Sequence, residues 1–177
     1  MKFIFVRHCT TAWNMERRIQ GQTDTVLHKT GRDEARQLAK ELKKLNIDGI
    51  VASGLKRSIQ TAEIFSKELQ VPVVKEDTRL NECSHGSLDG MTRQEITIKY
   101  GEDLIQKQDD RSDYDFTPFG GENRRQILMR EHALLNDIKN EFAGKTMLLV
   151  GHGRALNTLL GDLGIQKSLK RGEYIEW

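Results

Sequence analysis

Two histidines and two arginines stand where this chain would bring them to one place. Phe5-Val6-Arg7-His8 ends one apolar run, and Val150-Gly151-His152-Gly153 ends another. A third run closes at Ser53, with Arg57 one helical turn later. If these runs are parallel strands, all three deliver side chains to the carboxyl edge of one sheet, where open α/β sheets bind ligands. Gly153 there opens a helix, whose first N–H groups and positive dipole end suit an anion. Arginine forks match phosphate oxygens, so the pocket reads as a phosphate site. A histidine attacks phosphorus only when neutral, and two neighbouring guanidiniums favour that form. The same cations stabilise the oxygens of a transferring phosphoryl group. A phosphoryl-histidine would divide hydrolysis into two easier steps. Glu82, in Leu80-Asn81-Glu82, is the carboxylate expected near this edge, able to serve as acid and then as base.

The elements that must hold these groups follow from the apolar pattern. Lys2 to Val6 reads as a short buried strand. A polar loop runs over 9–30, and Thr30 with Asp33 predicts the start of a helix over 31–45. Asp48 to Ala52 is a second strand, 55–69 a helix, and Pro72-Val73-Val74 a third strand. Leu80 to Gly90 is a loop, and Thr92 with Glu95 caps a short helix to about Tyr100. Residues 101–121 are polar and acidic and read as an excursion or lid, with 107–115 solvated. A long amphipathic helix follows from Glu122 to Phe142, then a strand at 146–150, a helix at 154–163 and a last strand over 173–177. Strands alternating with helices predict a mostly parallel sheet with helices on both faces.

The 177 residues suffice for one domain with a real core. With 37% hydrophobic and 31% charged residues and a net charge of +2, the chain has no broad polybasic face. That argues against nucleic acid and anionic membrane as partners. Cys9 and Cys83 give no disulfide framework and point to a reducing compartment. With no signal-peptide pattern and no apolar run of membrane length, the expected location is the cytoplasm.

Five segments, in order, resemble the histidine phosphatases, the superfamily that includes cofactor-dependent phosphoglycerate mutase. They are Val6-Arg7-His8 with Thr11, Trp13 and Asn14; Arg18 and Gln20-Gly21 with Asp24 and Leu27; Ser53 to Ala62; Leu80-Asn81-Glu82 with Gly86 and Gly90; and Gly120-Gly121-Glu122 followed by Val150 to Gly153. The match spans nearly the whole chain. It implies one domain over 1–177, a three-layer α/β/α fold with a mostly parallel sheet, and a lid at about 91–121. It implies that His8 is the phosphorylated nucleophile. Arg7, Arg57 and His152 would bind the phosphoryl group, with Gly153 beside them, and Glu82 would be acid and base. Thr11 and Asn14 would add hydrogen bonds to phosphate, and Gln20-Gly21 would line the entrance. No metal and no other cofactor is implied.

The function expected is that of a histidine acid phosphatase-type phosphomonoesterase acting on a small phosphorylated metabolite. A phosphomutase is the alternative; family mutases are longer than this chain. A weakly active phosphate-binding regulatory protein is the other alternative, and Cys9, where the family has glycine, is its only support. His8-Cys9 also resembles the start of a cysteine phosphatase motif, but Met15 stands where that motif needs arginine. His8, Cys9, Cys83, His85 and His152 lack metal-ligand spacing. His85 and His132 read as solvated histidines, and Trp13 as a packing residue. A homodimer is left open.

Overall fold

The computed structural model describes residues 1–109 and 113–177. Its centre is a five-stranded sheet: β1 (Lys2–Arg7), β2 (Gly49–Ala52), β3 (Val73–Glu76), β4 (Thr146–Gly151) and β5 (Tyr174–Glu176), in the order β3-β2-β4-β1-β5. The first four are parallel, and β5 runs antiparallel along β1. The expected α/β class and mostly parallel sheet are therefore present.

Apolar side chains of β1 alternate between two cores, as a strand of period two requires. Phe3 and Phe5 meet Leu134, Leu135 and Ile138 of one helix and Leu156 and Leu159 of another. Ile4 and Val6 meet Ala35, Leu38, Ala39, Ala62 and Phe65 on the opposite face. Burying such side chains favours folding by roughly 1.5–3 kcal/mol each. The helices concerned are α2 (Lys29–Leu42) and α3 (Lys56–Leu69) below the sheet, and α6 (Arg124–Glu141) and α7 (Gly153–Asp162) above it. A short α1 (Ala12–Met15) follows β1, and α4 (Arg93–Tyr100) and α5 (Glu102–Asp109) lie between β3 and α6.

Three local expectations change. The cap of α2 is His28, whose Nδ1 accepts the Thr30 N–H, rather than Thr30 itself. The last turn expected there tightens into a 3-10 turn over Lys43–Leu45. Helix α6 begins after Asn123, which forms a reciprocal capping box with Gln126 and leaves Glu122 outside the helix. The Thr92–Glu95 box on α4 is present as expected.

The polar excursion contains α5, and it also supplies core. Tyr114, in the stretch expected to be solvated, and Phe116, just beyond it in the excursion, are buried with Cys83, Leu88, Ile96, Ile127 and Ala155. Residues 110–112, part of that stretch, lie outside the described residues.

Candidate active site

Strand register brings the two histidines level. Val6 pairs with Val150 and Arg7 with Gly151, so the next residue of each strand is a histidine. The His8 N–H donates to the Gly151 carbonyl at 2.9 Å, and Ser53 N–H to the Val150 carbonyl at 3.1 Å, carrying the alignment past the strand ends. The imidazole centres of His8 and His152 are 5.1 Å apart.

Both rings are buried. His8 Nδ1 lies 2.8 Å from the Cys9 carbonyl, which can only accept, so Nδ1 carries the proton. The lone pair is then on Nε2. Burial, then the charges of Arg57 and Arg7, hold His8 well below the usual histidine pKa. The same influences, burial first, hold His152 down. His152 Nε2 sits 2.6 Å from Ser53 Oγ.

Arg57, in the first turn of α3, is fully buried. Its Nη1 donates to the Thr23 carbonyl at 2.8 Å and its Nη2 to the Gly21 carbonyl at 2.6 Å. Burial lowers its pKa to about 10, which leaves it charged at neutral pH. Gly21 has φ of +46° and packs against Asp89 where a Cβ would stand. Arg7 lies over Gly153: a Cβ there would come 2.6 Å from the guanidinium carbon.

Glu82 lines this edge as expected, but it takes up the N–H groups at the start of α7 that were expected to be free. Its Oε1 accepts the N–H groups of Cys83 at 2.9 Å, Arg154 at 3.1 Å and Ala155 at 2.9 Å. The Arg154 and Ala155 N–H groups at the start of α7, expected to face a ligand, are thus held by this carboxylate. Burial alone would raise the Glu82 pKa. The Ala155 N–H, the neighbouring His85 and Arg7, and the Cys83 N–H together bring it below the usual value. Arg130 braces the loop from α6, donating to the carbonyls of Arg79 and Glu82 and pairing with Glu122 at 2.9 Å. Glu122 also accepts the Ser84 N–H. The Gly120-Gly121-Glu122 motif therefore supports the Glu82 loop.

A cavity of about 550 Å³ opens on these groups. Arg7, His8, Asn14, Gln20, Gly21, Arg57, Glu82 and Gly153 line it, all expected from the sequence. His152 lies behind His8 and does not reach the lining. Thr11 does not either. It is fully buried, caps α1 through the Asn14 N–H, and shares its hydroxyl between Asn14 and Gln20. Missed from the sequence were Arg17, Arg18, His85, Arg93, Arg154 and Arg171. The lining thus carries seven arginines against one carboxylate, Glu82. Density of arginine at 17–18 was the available signal. His85, expected to be solvated, is buried, lies 3.2 Å from Asp89 and tilts against Phe116. His132 is on the surface beside Asp162, as expected.

Cys9 is absent from the lining. Its side chain is buried with Ile4, Val6, Leu27 and Ala35, and its φ is not in the left-handed region that favours glycine. Burial pushes its thiol pKa up to about 12. A thiol so placed is neither nucleophile nor obstacle.

The model of the histidine phosphatase superfamily, branch 1, matches residues 3–176. The chain belongs to the histidine phosphatase superfamily. Among its relatives is an uncharacterized phosphatase of Bacillus subtilis, 31% identical over 158 residues, covering 89% of this chain and 75% of that one. A probable phosphoglycerate mutase of Photorhabdus laumondii is 35% identical over 167 residues, covering 92% and 74%. Among solved structures, a mycobacterial glucosyl-3-phosphoglycerate phosphatase in complex with VO3 superposes with a TM-score of 0.88 at 26% identity, covering 99% and 91%. As a histidine phosphatase, the chain is an enzyme that acts as a phosphatase on small metabolites. No helix among the described residues is long and apolar enough to cross a membrane.

Proposed function

We propose that this histidine phosphatase hydrolyses phosphomonoesters in two steps through a phosphohistidine on His8, as a phosphoric monoester hydrolase of the acid phosphatase type. One observation carries the reading. The hydrogen bond from His8 Nδ1 to the Cys9 carbonyl leaves Nε2 unprotonated beside Arg7 and Arg57. In the first step Nε2 attacks phosphorus, the P–O ester bond breaks, and the departing alkoxide takes a proton from the Glu82 carboxyl. In the second, Glu82 takes a proton from water, whose oxygen displaces His8 and releases inorganic phosphate. Arg7 and Arg57 neutralise the equatorial oxygens in both steps, while His152, neutral and buried, backs the ring of His8. Asn14 and Gln20 orient the ester, and Thr11 positions those two side chains from behind.

Glu82 is a carboxylate in the empty site, so its first proton arrives with a substrate bound as the monoanion. Phosphate monoesters lose that proton near pH ~6. His8, held neutral, stays nucleophilic in mildly acid solution. These two features support the acid phosphatase subtype. Buried thiols at Cys9 and Cys83 fit a cytoplasmic location.

Brief reaction with a radiolabelled phosphomonoester, followed by denaturation, should leave acid-labile label on the wild type and none on His8→Ala. Stable turnover by His8→Ala would overturn the reading. Likeness to a probable phosphoglycerate mutase favours a second reading, transfer to another hydroxyl of the same substrate. Incubation with a phosphoglycerate separates them: free phosphate marks hydrolysis, and isomer interconversion without release marks a mutase.

A further inference from the structure

We propose that Glu34 is a positioning residue for the reacting histidine: it holds the Cys9–Thr10 peptide group, whose carbonyl keeps His8 in the tautomer with a free Nε2. This rests on the phosphohistidine reading above, which makes that nitrogen the nucleophile.

A peptide group has two polar ends, and both are engaged here. The Cys9 carbonyl lies 2.8 Å from His8 Nδ1 and accepts its proton. The N–H of the same group, on Thr10, donates to Glu34 Oε2 at 2.9 Å. The Thr10 hydroxyl donates to the other carboxylate oxygen, also at 2.9 Å. Imidazole, peptide and carboxylate thus form one chain of hydrogen bonds, in which every donor points toward Glu34. A negative charge at the N–H end polarises the peptide and makes its carbonyl a stronger acceptor for the Nδ1 proton. The aspartate of a serine protease triad orients its histidine and fixes the tautomer by direct contact. In this chain one peptide group stands between carboxylate and ring.

The surroundings hold that peptide from both sides. Helix α2 brings Glu34 to it, and the start of α2 is seated on the next carbonyl, that of Thr10. This carbonyl accepts the His28 N–H at 3.0 Å, and a Cβ at Gly31 would collide with it. From α3, Thr61 Oγ1 accepts the Cys9 N–H at 3.3 Å and donates to the Arg57 carbonyl at 2.7 Å. The Glu34 charge is also left for the peptide to feel. Its neighbour Asp33 pairs with Arg36 at 2.7 Å, whereas among the described residues Glu34 has no ion-pair partner. It is half-buried, so water screens it only in part. The Cys9 thiol, raised first by burial, is raised further by this charge.

Two variants and two readouts test the proposal. In protein carrying isotope-labelled histidine, the ring signals missing from His8→Ala are those of His8, and nitrogen–proton correlation spectra show which nitrogen is protonated. Wild type should show His8 as a single Nδ1–H tautomer. Glu34→Gln keeps an acceptor for the Thr10 N–H but not the charge. Its Nδ1 proton should move upfield, and the single-turnover rate of His8 phosphorylation at saturating substrate should fall about three- to tenfold, with KM within about twofold. Glu34→Ala frees the peptide, so both tautomers should appear and the rate should fall at least about tenfold. A tie that merely docks α2 would lower the melting temperature of both variants and leave the His8 signals and the rate at wild-type values; that result overturns the proposal. Should Glu34→Ala fail to fold by circular dichroism, Glu34→Gln decides alone. If wild type takes no label at His8, the phosphohistidine reading fails, and the spectra still decide whether Glu34 governs the ring.

Discussion

Glu82 accepts the Ala155 N–H at 2.9 Å, so the carboxylate that would exchange protons with substrate also closes the N-terminus of α7. The helix dipole and three N–H donors stabilise its ionised form. That arrangement ties catalysis to the position of α7, which also begins at the glycine beneath Arg7.

Two substitutions separate these roles. Glu82→Gln keeps an oxygen for the backbone donors but cannot shuttle a proton. It should cut kcat on alkyl phosphates by roughly 10²–10⁴-fold, and by much less on aryl phosphates, whose leaving groups need no acid. Glu82→Ala should in addition lower stability by about 0.5–2 kcal/mol through loss of the cap. Steady-state kinetics on paired substrates and thermal melts check both. An equal loss on alkyl and aryl esters would count against Glu82 as the proton donor.

Gly153→Ala tests the contact with Arg7. The added Cβ would sit 2.6 Å from the guanidinium carbon, so the arginine must move. Alanine favours a helix, and the fold should persist with unchanged circular dichroism. Because Arg7 would bind both ground and transition states, KM should rise and kcat fall, together lowering kcat/KM by about 10–100-fold. Wild-type kinetics in this variant would show that Arg7 does not position phosphate.

The sequence made the histidine pair legible because each follows a run of buried strand residues, and parallel register does the rest. Glu82 was legible as a site residue, but its contact with α7 was not: the partner lies 73 residues away. Arg171 reaches the cavity only because β5 folds back antiparallel along β1, a long-range pairing with no local signal. His85, read as solvated, is carried inward by the 3-10 turn that follows it and by Phe116, from the excursion at 101–121. Helix α5 was missed because its polar sequence, Glu102 onward, lacks the apolar spacing that marked the other helices. His28 displaced Thr30 as the α2 cap because an imidazole nitrogen can also accept an N–H, a competition that residue type alone does not decide.

Cys9 occupies the family's glycine position without needing glycine's conformational range, and its thiol faces the core. Cys9→Gly should therefore leave turnover within about twofold. It should lower stability by roughly 1–2 kcal/mol, from backbone entropy and lost packing. Native protein should resist alkylation at this thiol until denatured. A large gain of activity in Cys9→Gly would instead mean that the side chain obstructs the site, and would revive the regulatory reading.

Glu131 gives the last prediction, one of stability against pH. It is buried on α6, and among the described residues neither carboxyl oxygen has a hydrogen-bond partner. Burial raises its pKa to about 8; the Arg130 charge opposes this, while Glu82 and Glu122 add to it. The folded protein thus binds this proton more tightly than the unfolded chain, where a glutamate titrates near ~4.3. The contribution is fully present below that lower value. It is lost as pH rises through about 8, at up to ~1.4 kcal/mol per pH unit. Glu131→Gln keeps the shape without the ionisation and should flatten this decline. Denaturant melts at acid, neutral and alkaline pH should show variant and wild type converging in acid, with the variant more stable in alkali. Parallel curves for the two proteins would mean that Glu131 is ionised and paired in the native state.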